Sequence, residues 1–166
     1  AKLHKLFTEL EFKTLLKSAE TKKTPAKSSN GSASKDNYRA ILSKKDLDDL
    51  IKELKKAKVL AFDTETDSLD FTQANLVGLS VATDEDNAYY IPVGHDYEGA
   101  PKQLNRDEVL KKLKPIIEKT PLIGQHLKFD RNVLANYDIH LNTIENDTML
   151  MSYIYDPTAT RHNLDA

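Results

Sequence analysis

From Asn37 onward, short apolar or alternating runs take turns with stretches whose apolar positions recur every three or four residues. That is the rhythm of strands and helices following one another. Tyr38 to Leu42 reads as a short strand, and Ser43 with Asp46 three residues later resembles a capping box opening a helix through Lys56. Val59 to Asp63 is a strand. Asn75 to Thr83 and Ala88 to Val93 are two more, joined as a hairpin by the polar turn Asp84-Glu85-Asp86-Asn87, so that three strands should lie side by side. Asn105 caps a helix running to about Lys119, with Val109, Leu110, Leu113, Ile116 and Ile117 as its buried stripe and Pro115 expected to kink or locally break it. Pro121 to Gly124 is a short buried strand, Leu127 to Tyr137 a helix, Thr143 to Asp147 an edge strand, and Thr148 to Tyr155 a final helix with Asp147 as its N-cap. The pattern predicts an α/β fold: a mixed β-sheet flanked by helices.

Before Asn37 the pattern changes. Leu3, Leu6, Phe7 and Leu10 fall at helical spacing, predicting a short amphipathic helix over residues 2–18 with no packing partner visible in the chain. Residues 21–36, rich in Lys, Ser, Thr and Ala around Pro25 and Gly31, have no apolar period and read as a flexible polar linker. The folded domain is therefore expected over 37–166, with 1–20 belonging to something that precedes it.

Composition narrows the class. Of the 166 residues 39% are apolar and 30% charged, which suits one domain with a solvated appendage. The chain has no run of about 18 apolar residues and no readable signal peptide, so a soluble, cytoplasmic protein without a membrane partner is expected. Cysteine is absent, which removes disulfides and thiolate-bound zinc, and His4, His95, His126, His140 and His162 are not at zinc-ligand spacing. The net charge of −2 conceals an asymmetry: residues 1–58 hold 15 basic against 8 acidic side chains, residues 59–166 hold 9 against 18. A basic leader suggests contact with nucleic acid, but without an arginine cluster or interleaved aromatics a solvated surface explains it better.

The chemistry is concentrated at two places. Phe62-Asp63-Thr64-Glu65-Thr66 puts two carboxylates two residues apart at the end of an apolar run. On a strand they project from one face with Cα atoms roughly 7 Å apart, and such a pair repels itself unless a cation intervenes. Oxygen donors with room for water suit Mg²⁺ or Mn²⁺, the ions of phosphoryl chemistry. The second place is Gly124-Gln125-His126-Leu127-Lys128-Phe129-Asp130, where a strand passes into a helix. Asp130 lies at the margin of that helix's apolar face and is expected to lean over the sheet toward Asp63 and Glu65. Gln125 and His126 precede a helix N-terminus whose free amides would suit a phosphate. Asp67 and Asp70 read as turn residues, and Lys128 serves equally well as a phosphate contact or a surface lysine.

These segments, with Ala74-Asn75-Leu76-Val77-Gly78-Leu79-Ser80, Ile91-Pro92-Val93-Gly94-His95-Asp96-Tyr97, Ala135-Asn136-Tyr137 and Asp147-Thr148-Met149-Leu150, resemble in order the proofreading 3′-5′ exonuclease domain of bacterial DNA polymerase I, of the DEDD superfamily. The resemblance runs from about Asn37 to Ala166, and Leu6-Phe7-Thr8-Glu9-Leu10-Glu11-Phe12 resembles the end of that polymerase's preceding 5′ nuclease domain. It implies a ribonuclease-H-like fold that removes nucleotides from the 3′ end of single-stranded DNA with two divalent ions. The residues matching Asp63 and Glu65 hold the first ion, that matching Asp63 bridges to the second, and that matching Asp130 holds the second largely through water. Residues matching Thr66 and Leu69 contact the terminal nucleotide, and Gln125, His126, Lys128 and Phe129 fall among the family's substrate contacts. His126 stands where the family usually has Asn, and Phe129 where it usually has Tyr, with the loss of a hydroxyl. The family's last motif, Tyr followed four residues later by Asp, is expected beyond residue 166. The resemblance therefore implies a C-terminally incomplete domain, weak or inactive alone, otherwise joined to polymerase and 5′ nuclease domains. An inert scaffold domain, and a ribonuclease of the same superfamily, are the alternatives.

Overall fold

A computed structural model describes residues 37–158 and 161–163. Six strands form one sheet in the order β1-β4-β3-β2-β5-β6. They are β1 Asn37–Ala40, β2 Leu60–Thr66, β3 Leu76–Ala82, β4 Asn87–Pro92, β5 Leu122–Gly124 and β6 Ile144–Asp147. The helices are α1 Lys44–Leu54, α2 Arg106–Ile117, α3 Leu127–Ala135 and α4 Thr148–Tyr155. β3 runs antiparallel to both β2 and β4, whereas β1 joins β4, β5 joins β2, and β6 joins β5 in parallel. The expected leader helix and linker over residues 1–36 lie outside the described residues.

Local chemistry sets most boundaries. Ser43 accepts the Asp46 amide at the start of α1, and Asn105 accepts the Glu108 amide at the start of α2. The β3–β4 turn closes on Asp84, whose carboxylate accepts the amides of Asp86 and Asn87. Pro115 does not break α2: it falls near the last turn, and the amide of Glu118 still reaches Lys114 O. A proline this close to a helix end removes one hydrogen bond where few remain to be lost.

Two strands end at residues furthest from where their sequence patterns put them. β1 ends at Ala40, two residues early, with Ile41 turning its buried side chain into the core. β2 does not stop at Asp63 but continues to Thr66, paired with β3 throughout, with a bulge between Glu65 and Thr66. The polar pair that seems to end the strand is simply its second face.

That two-faced character governs the molecule. Leu60, Phe62, Leu79, Val81, Tyr89 and Ile91 join the buried stripes of α1, α2 and α3 in one continuous core. On the opposite face Ala61, Asp63, Glu65, Ser80, Ala82, Ala88 and Tyr90 stay partly or fully open, none of them buried. Among the described residues, α1, α2 and α3 pack against one side of the sheet, and the other side carries Asp63 and Glu65. No residue of α4 is buried either, and Ile154 is 85% exposed.

Candidate active site

The open face of β2 carries the acidic pair. Asp63 stands opposite Ser80 and Glu65 opposite Gly78 on β3. Between them Thr64 points the other way and is buried at 7% exposure. A buried hydroxyl needs a partner, and Asp130 supplies it. β5 pairs only with Leu60 and Ala61 of β2, so the strand is left without that neighbour further along. There the carboxylate of Asp130, from the first turn of α3, accepts both the Thr64 amide at 2.8 Å and the Thr64 hydroxyl at 2.6 Å. Asp130 is 2% exposed. Residues 66 apart in sequence are thereby fastened together, one carboxylate against the strand that carries two more.

Electrostatics registers the crowding. The Asp63 carboxyl is pushed up to about 6, by desolvation first and then by the negative charges of Asp130 and Glu65. Burial likewise raises Asp130, against the lowering effect of its Thr64 hydrogen bonds and of nearby His126. Among the described residues no basic side chain forms an ion pair with any of the three. Nor, among the described residues, do three or more acidic, histidine or cysteine side chains gather as a group that could hold a metal ion.

The approach to Asp130 is built by Asp147. It caps α4 as expected, accepting the amides of Met149 and Leu150, but it also accepts those of His126 at 3.0 Å and Leu127 at 2.8 Å. The expectation that these α3 amides greet a phosphate is thus not met, because a carboxylate of the chain itself already occupies them. His126 takes the left-handed conformation, φ 57°, without capping α3 by its side chain. His, like Asn and Asp, adopts that conformation more readily than most residues.

The remaining candidates divide. Leu69 is 94% exposed on the loop after β2, free to meet a ligand. That loop is held by Asp67, which accepts the amide of Asn75, by Asp70, which accepts the amide and hydroxyl of Thr72, and by Asn136 of the α3 C-cap, which reaches Phe71 O. Thr66 spends its hydroxyl on Ser68 O. Gln125 donates to His162 O at 2.7 Å and accepts from the Thr148 hydroxyl, so its amide is fixed by the chain. His126 and Lys128 are exposed, and Phe129 packs partly against the core. Sequence reasoning missed Thr64 as the anchor of Asp130 and the second role of Asp147. The first is hinted at by a hydroxyl at a core-facing position of an alternating strand, whereas the second has no local signal.

The architecture is that of the ribonuclease-H-like exonucleases. The structure superposes on the POL domain of Pol1 from M. smegmatis with a TM-score of 0.61 and 17% identity, over 76% of this chain and 21% of that one. It superposes on Brucella melitensis NrnC with bound Mg²⁺ at a TM-score of 0.51 and 19% identity, over 77% and 57%. In sequence, a family described as 3′-5′ exonuclease matches residues 38–166, and the chain belongs to it. The DNA polymerase I of Pseudomonas aeruginosa is 43% identical over 169 residues, covering 97% of this chain and 18% of that protein. The chain thus spans less than a fifth of that relative's length.

Proposed function

We propose that Asp63, Glu65 and Asp130 form a two-metal centre that hydrolyses the terminal phosphodiester at the 3′ end of single-stranded DNA, a proofreading activity. The observation that carries this is the fastening of Asp130 to Thr64, which brings a third carboxylate to the strand bearing the other two. The donor set fits the ions. Mg²⁺ is commonly held by one or two carboxylates, with water and substrate phosphate filling its other positions, so the Asp63–Glu65 pair needs no third protein ligand to bind it. Mn²⁺ accepts the same oxygen donors. Three carboxylates without basic partners among the described residues, one pushed up to about 6, are a charge excess that a cation relieves.

Asp63 and Glu65 would hold one ion on the open face, and Asp63 with Asp130 would serve the second. Divalent ions in such a place supply activation of water for in-line attack and neutralisation of charge on the phosphate and leaving oxygen. The chain's own residues do the positioning. Thr64 fixes Asp130, Asp147 fixes the start of α3, and Leu69 and Thr66 meet the terminal nucleotide. Gln125, His126, Lys128 and Phe129 line the approach. Residues 1–20 are proposed to end a preceding 5′ nuclease domain, 21–36 to act as a linker, and polymerase and 5′ nuclease domains to be attached partners in a cytoplasmic enzyme. Among the described residues no helix is long and apolar enough to cross a membrane.

Titration calorimetry with Mn²⁺ is the first test. Binding should be lost in Asp63→Ala, whereas an unchanged isotherm removes the metal assignment. Trimming of a labelled single-stranded 3′ end, however slow, should require Mg²⁺ or Mn²⁺ and vanish in the same variant. A protein that neither binds the ion nor trims would be the inert scaffold.

A further inference from the structure

A group of three rings stands beside Glu65. Tyr90 projects from β4 on the open face, and its hydroxyl lies over Gly78, where an added Cβ would meet it at 1.9 Å. Gly78 is the cross-strand partner of Glu65, and directly paired Cα atoms lie about 5 Å apart. The Tyr90 hydroxyl is therefore a near neighbour of the acidic pair. It is hydrogen-bonded to His95 Nε2, with the two ring centroids 5.8 Å apart. His95 in turn meets Tyr97 edge-on at 5.8 Å, and Tyr97 ends the row with 60% of its surface exposed.

The loop that carries these rings is already ordered. The amides of Val93 and Gly94 both donate to Val77 O. Gln103 grips His95 from both sides, accepting its amide at 2.9 Å and donating to its carbonyl at 2.6 Å. An exposed aromatic ring on a loop that is already ordered needs less ordering when something stacks on it. The neighbours Asp96 and Glu98 are exposed and acidic, so a strand held here would lay an uncharged base on the ring with its phosphates turned away from this edge. A flat uncharged ligand is what it suits.

We propose that Tyr97, backed by His95 and Tyr90, is a stacking platform for an unpaired base of the strand whose terminal phosphodiester lies at Asp63 and Glu65. This rests on the nuclease reading above and deepens it, by naming how an internal nucleotide is held. Stacking on an aromatic ring accepts any base, as an enzyme that trims arbitrary sequence requires.

The test is binding of a short oligothymidylate, its 3′ end phosphorothioate-linked to resist cleavage, in Mg²⁺, followed by fluorescence anisotropy. Tyr97→Ala should raise Kd at least about fivefold, the lower end of one base–aromatic stack, and Tyr97→Phe should stay within about twofold of the unsubstituted protein because the ring face remains. With 2-aminopurine scanned along the strand, one internal position should be quenched in the unsubstituted protein and regain fluorescence in Tyr97→Ala. Equal Kd values for the unsubstituted protein and Tyr97→Ala overturn the platform alone, as does a Tyr97→Phe loss as large as that of Tyr97→Ala. No binding by the unsubstituted protein overturns the nuclease reading itself.

Discussion

The two faces of β2 are built from one run of seven residues and obey opposite rules. Toward the helices stand Leu60, Phe62 and Thr64, all buried, with the only polar atom of the three side chains satisfied by Asp130. Toward solvent stand Ala61, Asp63 and Glu65, with like charges close together and no basic partner among the described residues. The first face contributes stability through apolar area removed from water. The second opposes it, since uncompensated carboxylates repel one another. A strand can carry both because its side chains alternate, so the packed face fixes the direction in which the charged one points. Thr64 is where the two accounts meet.

The comparison breaks most sharply at Phe62. Phe62→Ala opens a void in a closely packed core and should cost about 3–5 kcal/mol of stability, read as the loss of cooperative unfolding or a lower denaturant midpoint. Asp63→Ala, one residue away, should leave the fold as stable or more so while lowering 3′-end hydrolysis by at least about a hundredfold, near 3 kcal/mol of barrier. If both variants lost stability alike, the division of labour between the faces would not hold.

That division was partly legible beforehand. The period-2 run and the hairpin signal at Asp84 to Asn87 gave the adjacent strands, and the α4 boundaries matched the pattern because Asp147 caps locally. β2 was read too short because a polar pair following an apolar run resembles a strand end. Only pairing with β3 along its whole length reveals that Asp63 and Glu65 are inside the ladder. The occupied amides of α3 were illegible for another reason. Asp147 lies about twenty residues downstream, and no local rule connects a carboxylate to a helix start that far away.

The junction of the two faces gives the next effect. Thr64→Val keeps the shape and the amide bond to Asp130 but removes the hydroxyl from a buried acceptor. The expected cost is about 1–2 kcal/mol. Loss of a lowering hydrogen bond should also raise Asp130 further, so the pH at which activity is half lost on acidification should move upward. Thr64→Ser, which keeps the hydroxyl, should restore both; a serine variant no better than valine would show that the methyl packing, not the bond, matters.

The smallest effect is the pH dependence of stability without divalent ions. Asp63 titrates near 6 when folded and near 3.8 when unfolded, so between those values the folded state binds more protons. Stability must then fall as pH rises through about 4 to 6, and be recovered on acidification across the same window. Asp130, also raised, contributes with the same sign. Carboxylates that are hydrogen-bonded elsewhere, such as Asp67, Asp70 and Asp84, are lowered and act below this window with the opposite sign. Because Asp63 is open to solvent, its part is worth about 1 kcal/mol or less. Melting curves from pH 7 to 5 in EDTA should show the midpoint rising as protons are added, with the slope flattened in Asp63→Asn, which carries no titrating group. Excess Mg²⁺ should flatten it too, since an ion between the carboxylates relieves the same repulsion. If the asparagine variant kept the full slope, the charge strain would lie elsewhere than on the open face of β2.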